Sequence, residues 1–288
     1  MRILVTGGKG QLGRALARRG GAAGHAVTAL DVDTLDLRDA DAVDGALATP
    51  YDAVINAAAY TAVDKAESEE EAAFAINGTG AANLARACAE RGVRLLHVST
   101  DYVFDGTQTR PYREDDPTSP LGVYGKTKLH GERAVIASGG TVVRTSWLFE
   151  AKGPSFVHTM LRLAKERPVL RVVADQHGCP TWADDLADGL HALAARPSLE
   201  LVYHYCNAEP TTWHGFATAI VEEARNANRA NAHPLACERV DAITTADYPT
   251  PAKRPAYSVL DTARIRALGI VPPSWRRGLA EVVAQEMA

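Results

Sequence analysis

The chain has 288 residues, 46% of them apolar and 23% charged, with a formal net charge of −4. That balance excludes a disordered composition, a basic nucleic-acid binder and a membrane-spanning protein, since no apolar run approaches the roughly 18 residues a bilayer requires. Met1-Arg2-Ile3-Leu4-Val5-Thr6-Gly7 passes directly into a strand-like run and lacks the features of a signal peptide, and Cys88, Cys179, Cys206 and Cys237 are scattered without metal-ligand spacing. The expectation is a soluble cytoplasmic protein with reduced thiols, built as one large domain or two smaller ones.

In chain order, Arg2–Val5 reads as a strand, Leu12–Arg19 as a helix, Ala26–Leu30 and Ala53–Asn56 as strands, and Ala72–Arg91 as a long helix. The acidic run Glu67-Ser68-Glu69-Glu70-Glu71 would open that helix, where negative charge suits the dipole. Leu95–Ser99, Val123–Ala137 and Thr141–Arg144 follow as strand, helix and strand. Strands separated by helices of ~10–15 residues predict βαβ units: an α/β, Rossmann-type, doubly wound parallel sheet. The second half is less regular, with helices at Phe156–Arg167 and 213–229 and a proline cluster from Pro249 to Pro273. The predicted division is a dinucleotide-binding domain of residues 1–148, plus part of 180–210, and a smaller discontinuous C-terminal lobe within 149–288.

Between the first strand and first helix lies Thr6-Gly7-Gly8-Lys9-Gly10-Gln11-Leu12-Gly13. Gly7 would make the tight turn, Gly10 would admit a pyrophosphate close to the backbone, and Gly13 would let the helix pack on the sheet. Free N–H groups at the helix start would face the phosphates. Asp31, after the second strand, is placed to accept from an adenosine ribose; it favours NADH, whereas Lys9 in the loop would offset its charge for NADPH. A strand-end turn residue is the competing reading of Asp31. Asp36 and Leu37 would lie under the adenine.

Tyr124 and Lys128, four residues apart, share one helix face. A nearby ammonium lowers a phenol's pKa, so Lys128 is expected to tune Tyr124 as a proton donor. Thr100, in Ser99-Thr100-Asp101-Tyr102 after a strand, can donate to a carbonyl oxygen as charge develops there, although Ser and Thr also serve as ordinary caps. His97 reads as a core histidine, and Trp182 and Trp213 as packing residues. His177 divides equally between binding and loop structure.

The glycine loop, a hydroxyl after a later strand and Tyr-x-x-x-Lys downstream occur here in one order. Together with Asn56-Ala57-Ala58-Ala59-Tyr60-Thr61-Ala62-Val63-Asp64, Arg144-Thr145-Ser146-Trp147, Asp175-Gln176-His177-Gly178 and Arg254-Pro255, they make the chain resemble the extended short-chain dehydrogenase/reductase family. Within it, the resemblance is to the reductases of dTDP-linked 4-keto-6-deoxysugars, over nearly the whole length. It implies NADPH or NADH as cofactor. Thr100 and Tyr124 would contact the keto oxygen, and Lys128 the nicotinamide ribose. Gly10, Gln11 and Leu12 would meet the pyrophosphate, Asp31, Asp36 and Leu37 the adenosine, and Ala58, Ala59, Tyr60, Thr61 and Val98 the cofactor cleft. Asp101 and Trp147 would touch the sugar and Arg254 its diphosphate. The stretch Arg14-Ala15-Leu16-Ala17-Arg18-Arg19 carries no carboxylate, so no metal is expected; a homodimer remains open. Two other functions fit the same motifs: reduction of a related dTDP-sugar for an antibiotic glycoside, and a non-catalytic NAD(P)-binding regulatory subunit.

Overall fold

A computed structural model of the chain describes residues 1–228 and 235–287. The N-terminal half runs β1 (Arg2–Thr6), α1 (Gln11–Ala22), β2 (Ala26–Leu30), α2 (Ala40–Ala46), β3 (Ala53–Asn56), α3 (Val63–Ala66), α4 (Glu70–Phe74), a π-helical turn (Ala75–Gly80), α5 (Ala81–Glu90), β4 (Arg94–Thr100), a 3-10 turn (Asp101–Val103), α6 (Val123–Ala137) and β5 (Thr141–Thr145). The chain continues through β6 (Leu148–Phe149), α7 (Phe156–Glu166), β7 (Val169–Val173), β8 (His177–Gly178), β9 (Thr181–Trp182), α8 (Ala183–Ala194), β10 (Val202–His204), β11 (Thr211–Thr212), α9 (Trp213–Asn228), β12 (Arg239–Ile243), α10 (Ala263–Arg266) and α11 (Trp275–Met287).

Alternation along the strands decides where the helices go. Successive strand residues point to opposite faces. Ile3, Val5, Ile55, Leu96 and Val143 pack with α1 and α8, while Leu4, Val54, Leu95 and Val142 pack with α2, α5 and α6. Both faces are therefore covered, as a parallel sheet demands. The six parallel strands lie in the order β10-β5-β4-β3-β1-β2. Connections from β1 leave toward β2 on one side, and from β3 onward toward the other. The crevice at this reversal, outside the carboxyl ends of the strands, is where such sheets take ligands.

A second core forms from α7, α9 and α11 around Phe149, Phe216 and Trp275. The parallel pair β7–β12 lies beside it. Residues 183–204 return to the first unit: α8 packs on α1, and β10 adds to the sheet edge beside β5.

The predicted strands and α6 fall where expected. The single helix expected over 72–91 is instead α4, the π-helical turn and α5 in succession. Helices α2, α3, α8 and α10 lie outside the predicted set. The predicted helix 213–229 is α9, ending at Asn228; residue 229 lies outside the described residues. Among the described residues, no helix is long and apolar enough to cross a membrane.

Candidate active site

The glycine loop is shaped by close backbone approaches. Gly7 has φ +71°, and a Cβ there would stand 2.7 Å from the Ala58 backbone. A Cβ on Gly13 would lie 2.0 Å from the Gly7 carbonyl oxygen, so α1 can start against the loop only with glycine at that position. At Gly10 a Cβ would meet only the Gly7 oxygen, at 3.2 Å, and Gly10 lines a cavity of about 840 Å³. A side chain at Gly10 would take up space there. No side chain caps α1, and no acidic residue occupies its first turn. An uncapped helix start of this kind offers N–H donors and positive dipole to an anion. The residues present therefore fit a dinucleotide pyrophosphate.

Toward β2 the cavity is lined by Asp31, Val32, Leu35, Asp36, Leu37 and Arg38. The Asp31 carboxylate accepts from the backbone N–H of Lys9 at 2.7 Å and of Val32 at 2.8 Å. Lys9 Nζ pairs with Asp33 at 2.7 Å. Arg38 forks onto Asp36 and holds that carboxyl below its ordinary range. Arg38 escaped the sequence reading because nothing local marks an arginine two residues beyond an aspartate as a cavity residue.

At the other end, Ala58, Ala59, Thr61, Val98, Thr100, Asp101, Tyr124 and Lys128 share one wall. Thr100 closes β4; its hydroxyl donates to Asp101 Oδ1 at 3.0 Å and accepts from the Tyr102 N–H at 3.2 Å. Tyr124 sits in the first turn of α6. That turn can approach the end of β4 because Gly125 has no side chain: a Cβ would stand 2.2 Å from the Tyr102 carbonyl oxygen. Gly131 permits a second close approach, against the Asn77 carbonyl in the π-helical turn. Asn77 in turn ties the Tyr60 backbone, through both N–H and carbonyl, to Thr127 of α6.

Lys128 is buried, and its Nζ donates to the Val98 carbonyl at 2.7 Å. Burial brings Lys128 down to about 8 and pushes Tyr124 up to about 12. The expected lowering of Tyr124 by Lys128 is not what this geometry produces. The ammonium is directed at Val98, desolvation dominates the phenol, and the hydroxyl of Thr100 is the group that opposes it. Asp101, 1% exposed, is pushed up to about 6 by burial, against the hydroxyls of Ser258 and Thr100. His97 is a core histidine held neutral by burial, its Nδ1 2.9 Å from Asn56 Nδ2.

On the C-terminal side, Trp147 has φ +46° and stacks on Trp213, with ring centroids 3.6 Å apart. Both indoles line the cavity with Phe156 and Phe216, so Trp213 is a wall residue as well as a packing one. Trp182 packs on Gly278, under the Arg277 guanidinium. His177 pairs with Thr212 in a short antiparallel bridge, apart from the cavity lining.

Three of the expected contact residues stand off the wall. Gly13 lies behind the loop, and Tyr60 turns its hydroxyl to Glu69 at 2.6 Å. Arg254 forks onto Asp64 at 2.9 and 3.0 Å and also reaches Thr250 Oγ1 at 2.6 Å. A carboxylate distant in sequence satisfies the guanidinium, which no spacing rule foretells.

A parallel α/β sheet with a glycine loop at its switch point and a Thr–Tyr–Lys set across the same cleft defines a Rossmann-type dinucleotide-binding protein. The chain belongs to the RmlD substrate binding domain family, whose model matches residues 1–288. It is 48% identical to the dTDP-4-dehydrorhamnose reductase of Burkholderia thailandensis, over 96% of each chain. Among solved structures it resembles a dTDP-4-dehydrorhamnose reductase of Clostridium acetobutylicum, with TM-score 0.91, 36% identity and full coverage of both chains. It also resembles that of Bacillus anthracis in complex with NADP, with TM-score 0.90, 35% identity and 98% coverage of both.

Proposed function

We propose that the chain is an NAD(P)H-dependent reductase that converts the 4-keto group of dTDP-4-dehydrorhamnose to the alcohol of dTDP-L-rhamnose. The observation that carries this reading is the placing of Thr100, Tyr124 and Lys128 on one cavity wall opposite an uncapped, glycine-lined helix start. When bound, the reduced nicotinamide supplies the hydride. Tyr124, held as the neutral phenol by burial, gives its proton to the keto oxygen, and Thr100 donates a hydrogen bond to that oxygen as it gains charge. A raised pKa suits this direction of reaction, because the donor starts protonated. Lys128 holds the nicotinamide ribose.

Gly7, Gly10, Gln11 and Leu12 would receive the pyrophosphate, with Gly13 seating the helix behind them. Asp31, Asp36 and Leu37 would take the adenosine, and Ala58, Ala59, Thr61 and Val98 the walls of the cleft, with Tyr60 setting the backbone between them. Asp101 and Trp147 would contact the sugar; Arg254 would reach the diphosphate by exchanging Asp64 for phosphate oxygens, a charge-assisted fork. The two-lobe division follows: 1–148 with part of 180–210 for the dinucleotide, and the remainder of 149–288 for the sugar nucleotide. The buried free thiols fit a cytoplasmic enzyme. Light scattering would decide between a monomer and a homodimer.

The test is loss of NADH or NADPH absorbance with dTDP-4-dehydrorhamnose, with the product sugar identified by NMR. A product epimeric at C4 would transfer the assignment to a related dTDP-sugar. Absence of oxidation with both cofactors, despite their binding, would make the chain a regulatory subunit.

A further inference from the structure

Lys128 is 2% exposed, and among the described residues no carboxylate bonds its ammonium directly. One helical turn later Glu132, 1% exposed, lies on the same face of α6. Lys128 reaches β4 through the Val98 carbonyl, and Glu132 reaches β5 through Arg144. Arg144 grips that carboxylate with Nε at 3.0 and 3.2 Å and an Nη at 2.8 Å. The rest of its guanidinium reaches the Glu114 carbonyl and His204, each at 3.4 Å, and lies over the face of Phe104. The pair is thus a buried dipole, with its negative end on the helix that carries Lys128 and its positive end on β5.

We propose that Glu132, gripped by Arg144, is a positioning residue for Lys128, its carboxylate keeping the buried ammonium charged and in place at the cavity wall. The inference deepens the reductase reading and rests on it for the role of Lys128, though not for the electrostatics. The titratable groups around Lys128 are Tyr124 and Glu132 on α6, His97 on β4, Asp101 after β4 and Arg144 on β5; the π-helical turn Ala75–Gly80 has none. Tyr124 and His97 are held neutral by burial, so neither stabilises the ammonium. Asp101 is bonded by the hydroxyls of Ser258 and Thr100, and Glu132 is the group that opposes the desolvation of Lys128.

A residue that only staples α6 to β5 would not move the titration of Lys128, so that titration is the readout. The chain has seven lysines, few enough for 13Cε-lysine NMR, with the Lys128 signal assigned by its loss in Lys128→Met. The wild type is expected to show a midpoint near 8. Glu132→Gln should lower it by about one pH unit, a tenfold loss of proton affinity. Should the single Gln variant fail to fold, the double variant Glu132→Gln/Arg144→Met leaves no stranded buried charge, and a smaller drop is expected there. An unchanged midpoint in the folded Gln or double variant overturns the proposal. The alkaline limb of kcat/KM should move with the NMR midpoint; a wild type that binds cofactor but shows no turnover would sink the reductase reading and leave the NMR result standing.

Discussion

At the residue scale, burial keeps the Tyr124 phenol protonated, holding it up at about 12. Tyr124→Phe removes that proton without disturbing the cavity shape. Turnover should fall roughly 10²- to 10⁴-fold while dinucleotide binding, followed by fluorescence, stays near the wild-type level. Asp101 offers a test of burial. Its folded value, about 6, lies above its ordinary 3.8, so the folded state binds the extra proton between those values. Its contribution to stability is complete below 3.8 and lost as the pH rises through about 6, a loss on the order of 3 kcal/mol. His204, brought down to about 3 by burial, acts in the opposite sense: its contribution is present above 6.5 and lost on acidification. The two trends overlap in the whole chain, so the difference between wild type and Asp101→Asn isolates one of them. Urea midpoints should show the variant gaining relative stability at pH 8 over pH 4. The types and order of Thr100, Tyr124 and Lys128 were legible in the sequence. The direction of the Tyr124 shift was not, since it depends on what Lys128 faces and how much water is excluded.

At the element scale, glycines sort into those that fix the architecture and those that merely occupy a helix. Gly13 seats α1 against Gly7, whereas a Cβ on Gly21 of the same helix would meet nothing within 4 Å. Gly21→Ala should raise unfolding stability by about 0.5–1 kcal/mol through lower chain entropy. Gly13→Ala should be destabilising and should abolish dinucleotide binding, as denaturation and titration of the two variants side by side would show. The β1–α1 junction was readable because its geometry is a local demand for glycine. Helix α8 was not, because nine of its twelve residues are buried, Asp185 and His191 among them, so polar type does not track exposure there. The π-helical turn was also hidden: Asn77 takes its place by bonding Tyr60 and Thr127, partners that only the tertiary fold brings near. The pairing of Arg254 with Asp64 escaped for the same reason.

At the scale of the whole molecule, the two cores are stitched together through α1. Arg14 and Arg18 both reach the buried carboxylate of Glu150 just after β6, and Arg18 also bonds Asp184 of α8. Gln11 Nε2 donates to the Pro154 carbonyl at 2.7 Å, which draws the same segment over the glycine loop. Residues 1–148 expressed alone would lack α8, β10 and this clasp. The fragment should expose the apolar face formed by Ile3, Val5 and Leu96, bind a hydrophobic dye and resist refolding, whereas the full chain should not. The same edge has a meaning in time. β5 ends at residue 145 and its neighbour β10 begins at 202, so a growing polypeptide presents a bare strand edge while the ribosome adds the residues between them. At ~5–20 residues per second that interval lasts roughly 3–11 s. An unpaired edge is a template for pairing with other chains. Nascent-chain complexes stalled before residue 200 should therefore be more protease-sensitive and more dependent on chaperones than complexes stalled after β10 has cleared the exit tunnel.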